Sequence, residues 1–404
     1  MCIESEPRRY KPRSTPRQKK GYQGASCVCQ KCQNDARFVE RRGRTITCLL
    51  GGIRVRRPYY HCAVCSEGLS PWDQELGLSK RCLSPAVAEL SSLAGTVSSF
   101  AVSAKRMLLK MTGLRVSESS VERVTEDAGA RVGKLLEDRI KFGADREWKW
   151  QRDALGRTCA YASLDAKCVR RQGPKASRVE GRMAYVASIY NPDSEYDETQ
   201  KKPHQSRYLS GFYELNELGL QLRRQAGQVG WDKAEVQIAL SDGGNGMEQF
   251  LRRNFPLATI IIDFWHVKEY LVELAKALFA DEHERQSWMD RHAPMLKHEG
   301  GPAVLAQLKE IDPGPIAATR ELYRVTVQYF ENHQHKMDYP SYVKNGWQIG
   351  SGPIESACRT VVGDRLNGSG MRWGNDGADA LCHLRALFLS EPDQWDAFWE
   401  KHRN

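Results

Sequence analysis

No apolar run in the 404-residue chain approaches the ~20 residues needed to cross a bilayer as a helix. The opening Met1-Cys2-Ile3-Glu4-Ser5-Glu6 also lacks the apolar stretch that follows the charged start of an export signal. A soluble, cytoplasmic protein with no membrane partner is therefore expected. No G-x-x-x-x-G-K-[ST] loop is present to cradle a nucleoside triphosphate. No local signature marks a serine or cysteine as a nucleophile, so neither phosphate-loop hydrolysis nor covalent catalysis is favoured. The apolar share, 41%, is slightly low for a globular chain, and the length calls for more than one compact domain.

Basic residues and cysteines, by contrast, are plentiful. The formal net charge is +10, which favours a polyanionic partner such as nucleic acid. Arg8, Arg9, Lys11, Arg13, Arg17, Lys19 and Lys20 stand among prolines in the first twenty residues, so 1–20 reads as a basic disordered tail able to neutralise phosphates. The twelve cysteines are poor disulfide candidates in a reducing compartment, and clustered ones are better read as metal ligands. Cys29-Gln30-Lys31-Cys32 and Cys62-Ala63-Val64-Cys65 are separated by alternating segments such as Thr45–Leu49 and Ile53–Arg56. Two such knuckles on hairpins supply four thiolates at tetrahedral spacing, so 21–80 reads as a zinc-ribbon DNA-binding domain with Cys29, Cys32, Cys62 and Cys65 as ligands. Cys27 stands close enough to replace Cys29, whereas Cys48 and Cys82 read as small buried side chains.

From Ser84-Pro85 the apolar residues recur at helical spacing, and a turn near Thr112-Gly113 precedes a second helix capped by Ser117 or Ser119. Residues 81–150 read as a small helical, helix-turn-helix-like domain. Strands are then expected over Cys159–Asp165, Arg182–Tyr190, Arg207–Tyr213, Val236–Ser241 and Ala258–Ile262, with helices before, between and after the last two. Three consecutive strands followed by alternating helices and strands describe a mixed α/β sheet, in the order found in the ribonuclease H-like fold. The first part of that core spans 151–281, a helical insertion fills 282–345, and 346–404 closes the core.

Functional groups in such sheets gather at the carboxyl ends of parallel strands. Asp165, Asp242 and Asp263 are each expected at a strand end, and Glu355 lies in the first turn of a helix opened by Pro353. Carboxylates are hard ligands for magnesium, and two ions roughly 4 Å apart can activate the attacking oxygen and stabilise the leaving one of a phosphodiester. Arg359 lies one turn beyond Glu355, where it can brace that acid, pair with it in solvent or touch phosphate.

Asp165, Leu240-Ser241-Asp242-Gly243, Asp263-x-x-His266, Gly350-Ser-Gly-Pro-Ile-Glu355-Ser, Asn367-Gly-Ser-Gly-Met-Arg-Trp373 and the double knuckle together resemble the bacterial DDE transposases of the ISKra type, relatives of the Mutator-like group. The resemblance implies a catalytic triad of Asp165, Asp242 and Glu355 holding two Mg2+, which Mn2+ can replace, with Asp263 and His266 as an accessory pair. One departure is Ala166-Lys167 after the first acid, where Gly-Thr is expected. It further implies a transposase that binds the terminal inverted repeats of an insertion sequence, cuts and transfers DNA strands, works at least as a dimer on transposon ends and target DNA, and is nucleoid-associated. Arg372 and Trp373 are candidates to clamp a DNA end, and a buried Trp373 is the equal alternative. The other class of reading is a domesticated, catalytically silent zinc-ribbon DNA-binding protein.

Overall fold

The computed structural model describes residues 21–78, 82–173, 180–192, 205–244 and 246–400, and the basic segment 1–20 lies outside them. The chain opens with β1 (Ser26–Val28), β2 (Asp35–Cys48), β3 (Gly51–Cys62) and β4 (Gly68–Leu69), paired antiparallel in that order. The alternating segments seen in the sequence are parts of one long β2–β3 ribbon, whose register shifts between Phe38 and Glu40. Its core is small, with Ala36, Tyr60 and Cys62 packed on Cys27 and Cys29. So little apolar burial does not by itself stabilise a sheet of this size.

Four helices follow, α1 (Pro71–Glu75), α2 (Pro85–Val97), α3 (Phe100–Val102), which runs into a π-helical stretch over Ser103–Thr112, and α4 (Glu118–Glu137). Ser84 Oγ accepts from the Val87 amide and Ser117 Oγ from the Ser120 amide, so α2 and α4 begin where a side chain can satisfy a free N–H. Val121 and Val124 of α4 pack against Val87 and Ala94 of α2. Ala128, Val132 and Leu136 of the same helix join the core beneath the second sheet, so α4 serves both bodies and 150 is not a packing boundary.

The second sheet uses β5 (Gln151–Arg152), β6 (Thr158–Arg170), β7 (Gly181–Asn191), β8 (Gln205–Gly211), β9 (Val236–Ser241) and β10 (Thr259–Ile262). Its order is β10-β9-β6-β7-β8, with β5 beside β6. β6, β7 and β8 pair antiparallel, whereas β6–β9 and β9–β10 are parallel. Helix α5 (Leu215–Gln228) links β8 to β9, α6 (Met247–Asn254) links β9 to β10, and α7 (Phe264–Leu278) leaves β10. Then come α8 (Glu282–His298), α9 (Gly301–Lys309), α10 (Ala317–His333) and α11 (Tyr339–Lys344). The chain closes with α12 (Gly352–Ala357), a π-helical stretch over Cys358–Gly363, α13 (Asp364–Leu366), α14 (Asn375–Leu389) and α15 (Pro392–Glu400).

Strand alternation sends Ala160, Ala162 and Leu164 to a face covered by α4, α5, α14 and α15. Cys159 and Tyr161, with Ile238 and Leu240, pack on the other face against α7, α9 and α10. The helices of 282–345 thus supply one of the two layers over the sheet. α4 and α14 touch so closely that a Cβ on Gly129 would lie 1.9 Å from the Ala380 carbonyl oxygen, which only glycine avoids. No helix among the described residues is long and apolar enough to cross a membrane.

Candidate functional site

The two knuckles meet at the base of the β2–β3 ribbon. Each second cysteine is followed by a residue in the left-handed region, Gln33 at φ 60° and Ser66 at φ 58°, which turns the chain back so that both thiols of a knuckle face inward. The Cys29 amide donates to the Asn34 carbonyl and the Cys62 amide to the Glu67 carbonyl, closing each loop. Cys29 and Cys65 sulfurs lie 3.6 Å apart and Cys32 and Cys62 sulfurs 3.5 Å apart, with all four within 4.8 Å of one another. A tetrahedral ion with ~2.3 Å metal–sulfur bonds needs sulfurs about 3.8 Å apart, so the group can hold a metal such as zinc. Hydrogen bonds from Asn34 lower the Cys32 thiol to about 6, whereas burial raises that of Cys65 to about 12. Cys27, on β1 opposite Ala36, stays outside the group.

Asp165 lies on the central sheet and Asp242 directly after one of its strands. Asp165 does not end its strand as expected; β6 continues to Arg170 because β7 pairs with it over that whole length. What ends near Asp165 is the parallel pairing with β9, whose last partners are Ser163 and Leu240. Carrying that register on by two residues places Asp165 level with Asp242, just after β9. Asp165 Oδ1 accepts from the Ala166 amide at 2.6 Å. Burial raises its carboxyl above the usual range and the charge of Asp242 adds to this, while Ala166 and the buried Cys358 thiol oppose it by hydrogen bonding. Asp242 is half-buried and accepts from the Gly244 amide at 2.8 Å. Gly243 has φ 84°, and a Cβ there would meet Ile262 Cδ1 at 2.6 Å, so glycine lets the loop pass over the end of β10.

Glu355 is exposed on α12, which packs on β6 and β7, and its Oε1 lies 2.8 Å from Ser351 Oγ. The donor set of Asp165, Asp242 and Glu355 suits magnesium, being all hard oxygen at one end of the sheet. Among the described residues the cysteines are nevertheless the only potential ligand group closed to 4.8 Å, so the three acids stand further apart as a set.

No model of a known protein family matches this chain, and no curated protein does.

Asp263 and His266 do not pair through their side chains. Asp263 is the N-cap of α7, fully buried, and accepts from the Trp265 and His266 amides through Oδ1 and from the Ser351 amide and hydroxyl through Oδ2. With both oxygens occupied, the His266 ring turns away, 3.5 Å from Glu269 and edge-on to Tyr270. Ser351 thus touches both Asp263 and Glu355, a link that sequence spacing does not signal.

Arg359 is exposed and forms no ion pair with Glu355 among the described residues, because the helix widens at Cys358 and takes it off that face. Trp373 is not free to stack on a DNA end: it is 8% exposed, its Nε1 donates to the Leu366 carbonyl, and Phe100 and Arg365 pack on its ring. Arg372 is exposed at the rim of a cleft that also holds Glu118, Glu122, Glu126 and Asp376, an acidic lining ill suited to phosphates. A second groove, about 410 Å³, opens beside Asp242 and is lined by His266, Tyr270, Gln328, Tyr329 and Asn332. Its floor is stiffened by stacked Tyr270 and Tyr329 rings, and Tyr329 Oη donates to the Asp242 carbonyl.

Proposed function

We propose that this chain is a metal-dependent enzyme of DNA strand cleavage and strand transfer, a DDE transposase of the ISKra type built on a ribonuclease H-like core. The observation that carries the reading is the parallel register of β6 with β9, which, carried on by two residues, brings Asp165 level with Asp242 just after β9, with Glu355 on a helix packed on β6. The strand order β10-β9-β6-β7-β8, antiparallel over β6, β7 and β8 and parallel over β6, β9 and β10, supports the same core. Asp165, Asp242 and Glu355 would hold Mg2+, or Mn2+ in its place, and the ions would supply charge stabilisation and an activated oxygen nucleophile. The residues themselves prepare the site. Gly243 and Gly244 leave the approach to Asp242 open, Tyr329 fixes its backbone, and Ser351 lies against both Asp263 and Glu355. Zn2+ in the four-cysteine group would hold the ribbon in a form that binds DNA. Terminal inverted repeats and target DNA would be the substrates of a dimer or larger assembly in the nucleoid.

A DNA-binding protein without chemistry is the second reading, favoured by the wide spacing of the three carboxylates. Cleavage of duplexes carrying the repeats that flank the coding sequence separates the two. With Mg2+ the wild-type chain should cut them, and Asp165→Asn, Asp242→Asn and Glu355→Gln should bind without cutting. Cutting that persists in chelator, or in all three variants, would refute the metal-acid reading; binding without cutting by the wild type would establish the second.

A further inference from the structure

The β2–β3 ribbon carries seven arginines, Arg37, Arg41, Arg42, Arg44, Arg54, Arg56 and Arg57, and its register sorts most of them onto two sides. Residues directly opposite one another on a two-stranded ribbon project to the same side. Arg42 lies opposite Arg57 and Arg44 opposite Val55, which gives one side; Arg41 opposite Pro58, Gly43 opposite Arg56 and Thr45 opposite Arg54 give the other.

The first side is occupied by protein. Arg44 and Arg57 each reach Asp73 at 2.6 Å, and Arg42 pairs with Glu40 at 2.8 Å while lying 3.5 Å over the Tyr59 ring. The second side is open. Arg41, Arg54 and Arg56 are exposed, and among the described residues no acid lies within ion-pair distance of any of them. Gly43, Thr45 and Gly52 keep the surface between them low, and the Arg54 guanidinium lies 3.4 Å from where a Gly43 Cβ would stand. Arg54 and Arg56 are two residues apart, about 7 Å along the strand, and Arg41 is diagonal to Arg56 at about 7–8 Å. Three like charges held this close without counter-charge raise the energy of the free protein, and an anion of repeating charge relieves it.

We infer that the Arg41–Arg54–Arg56 side of the ribbon is a binding surface for the phosphate backbone of duplex DNA. A two-stranded ribbon is narrow enough to enter the major groove of B-DNA, whereas the A-form groove of duplex RNA excludes it. Asp73 ties down the side chains behind this side, and backbone pairing of Thr47 with residues 82–84 braces the ribbon along its edge. The inference rests on the DNA reading above and adds the surface that does the binding.

The test is a salt titration of the full chain on a random-sequence duplex of ~25 base pairs, followed by fluorescence anisotropy. Each phosphate contact adds about 0.9 to the slope of log affinity against log salt, so the R41Q/R54Q/R56Q chain should flatten the slope by about 2.7. By the same relation it should bind about 10²–10³-fold more weakly at 0.1 M salt. The single change Arg56→Gln should flatten it by about 0.9, which keeps the test decisive if the triple variant fails to fold. Arg42→Gln, on the occupied side, should leave the slope unchanged. Wild-type slopes in well-folded triple and single variants would overturn the surface while leaving the proposed enzyme standing. Equal binding of duplex RNA with the same arginine dependence would overturn the choice of DNA. A wild-type chain that binds no duplex at low salt would overturn the DNA reading itself, and the inference with it.

Discussion

Asp242 and Asp263 both follow strands of the central sheet, yet the structure gives them opposite sensitivities to the same change. The Asp263 carboxylate is fully buried and accepts from the Trp265 amide at 2.5 Å, the His266 amide at 3.2 Å, the Ser351 amide at 2.8 Å and the Ser351 hydroxyl. In Asp263→Asn the new NH2 must face either the two α7 amides or the two Ser351 donors, whichever way the amide turns. Two hydrogen bonds to a charged acceptor are lost, at roughly 1.5–3 kcal/mol each, and rotation of the Ser351 hydroxyl recovers about 1. The expected destabilisation is therefore about 2–5 kcal/mol, a large part of a typical folding free energy. Asp242→Asn keeps an oxygen for the Gly244 amide and is half-buried, so its cost should be about 1 kcal/mol or less. Urea denaturation followed by tryptophan fluorescence reads this difference, and single-turnover cleavage on the folded proteins reads the chemistry. Asp242→Asn should be stable and inactive, and Asp263→Asn should be unstable with residual cleavage. An Asp263→Asn protein of wild-type stability that cannot cut DNA would move the catalytic position from Asp242 to Asp263.

Cys32→Ser should remove stoichiometric metal from the purified chain and loosen the ribbon, as read by elemental analysis and proteolysis; wild-type metal content in that variant would exclude the four-cysteine site. Burial works against the Glu248 carboxylate, but Lys336 and Arg252 hold it down to about 2 from the usual 4.5. Its folded value is depressed, so its stabilisation is present above pH 4.5 and is lost as the pH falls toward 2, and Glu248→Gln should remove that part of the acid sensitivity from a melting-temperature series. Gly129→Ala forces α4 away from the Ala380 carbonyl and should cost about 1–3 kcal/mol despite the better helix propensity, whereas unchanged stability would show that the two helices separate freely. Deleting the basic segment before Gly21 should weaken binding to all duplexes alike and flatten the salt dependence; a loss confined to end sequences would show that this segment reads bases or shape.

Local chemistry made much of this molecule legible in the sequence, and distance in the chain hid the rest. The Cys29–Cys32 and Cys62–Cys65 spacings anticipate the closed thiol group because each knuckle is a local turn. The helix starts at Ser84 and Ser117 are readable for the same reason. Asp242 stands directly after β9 because the apolar run of that strand ends there. The extension of β6 beyond Asp165 was not readable, since it depends on how far β7 pairs with it. The occupation of Asp263 by Ser351, 88 residues away, could not be inferred from an Asp-x-x-His spacing. The sequence leaves Trp373 open between a clamp beside Arg372 and a buried side chain, because it does not reveal Phe100 and Arg365 packed on the ring. The arginine surface illustrates the limit most sharply. Its residues are plain in the sequence, but their sides depend on the register between β2 and β3 and on the irregularity between Phe38 and Glu40. A slip of one residue in either strand would send Arg54 and Arg56, or Arg42 and Arg44, to the opposite face. The function of a charged ribbon therefore lies in its pairing, and the pairing here leaves three arginines on one side without an acidic partner among the described residues.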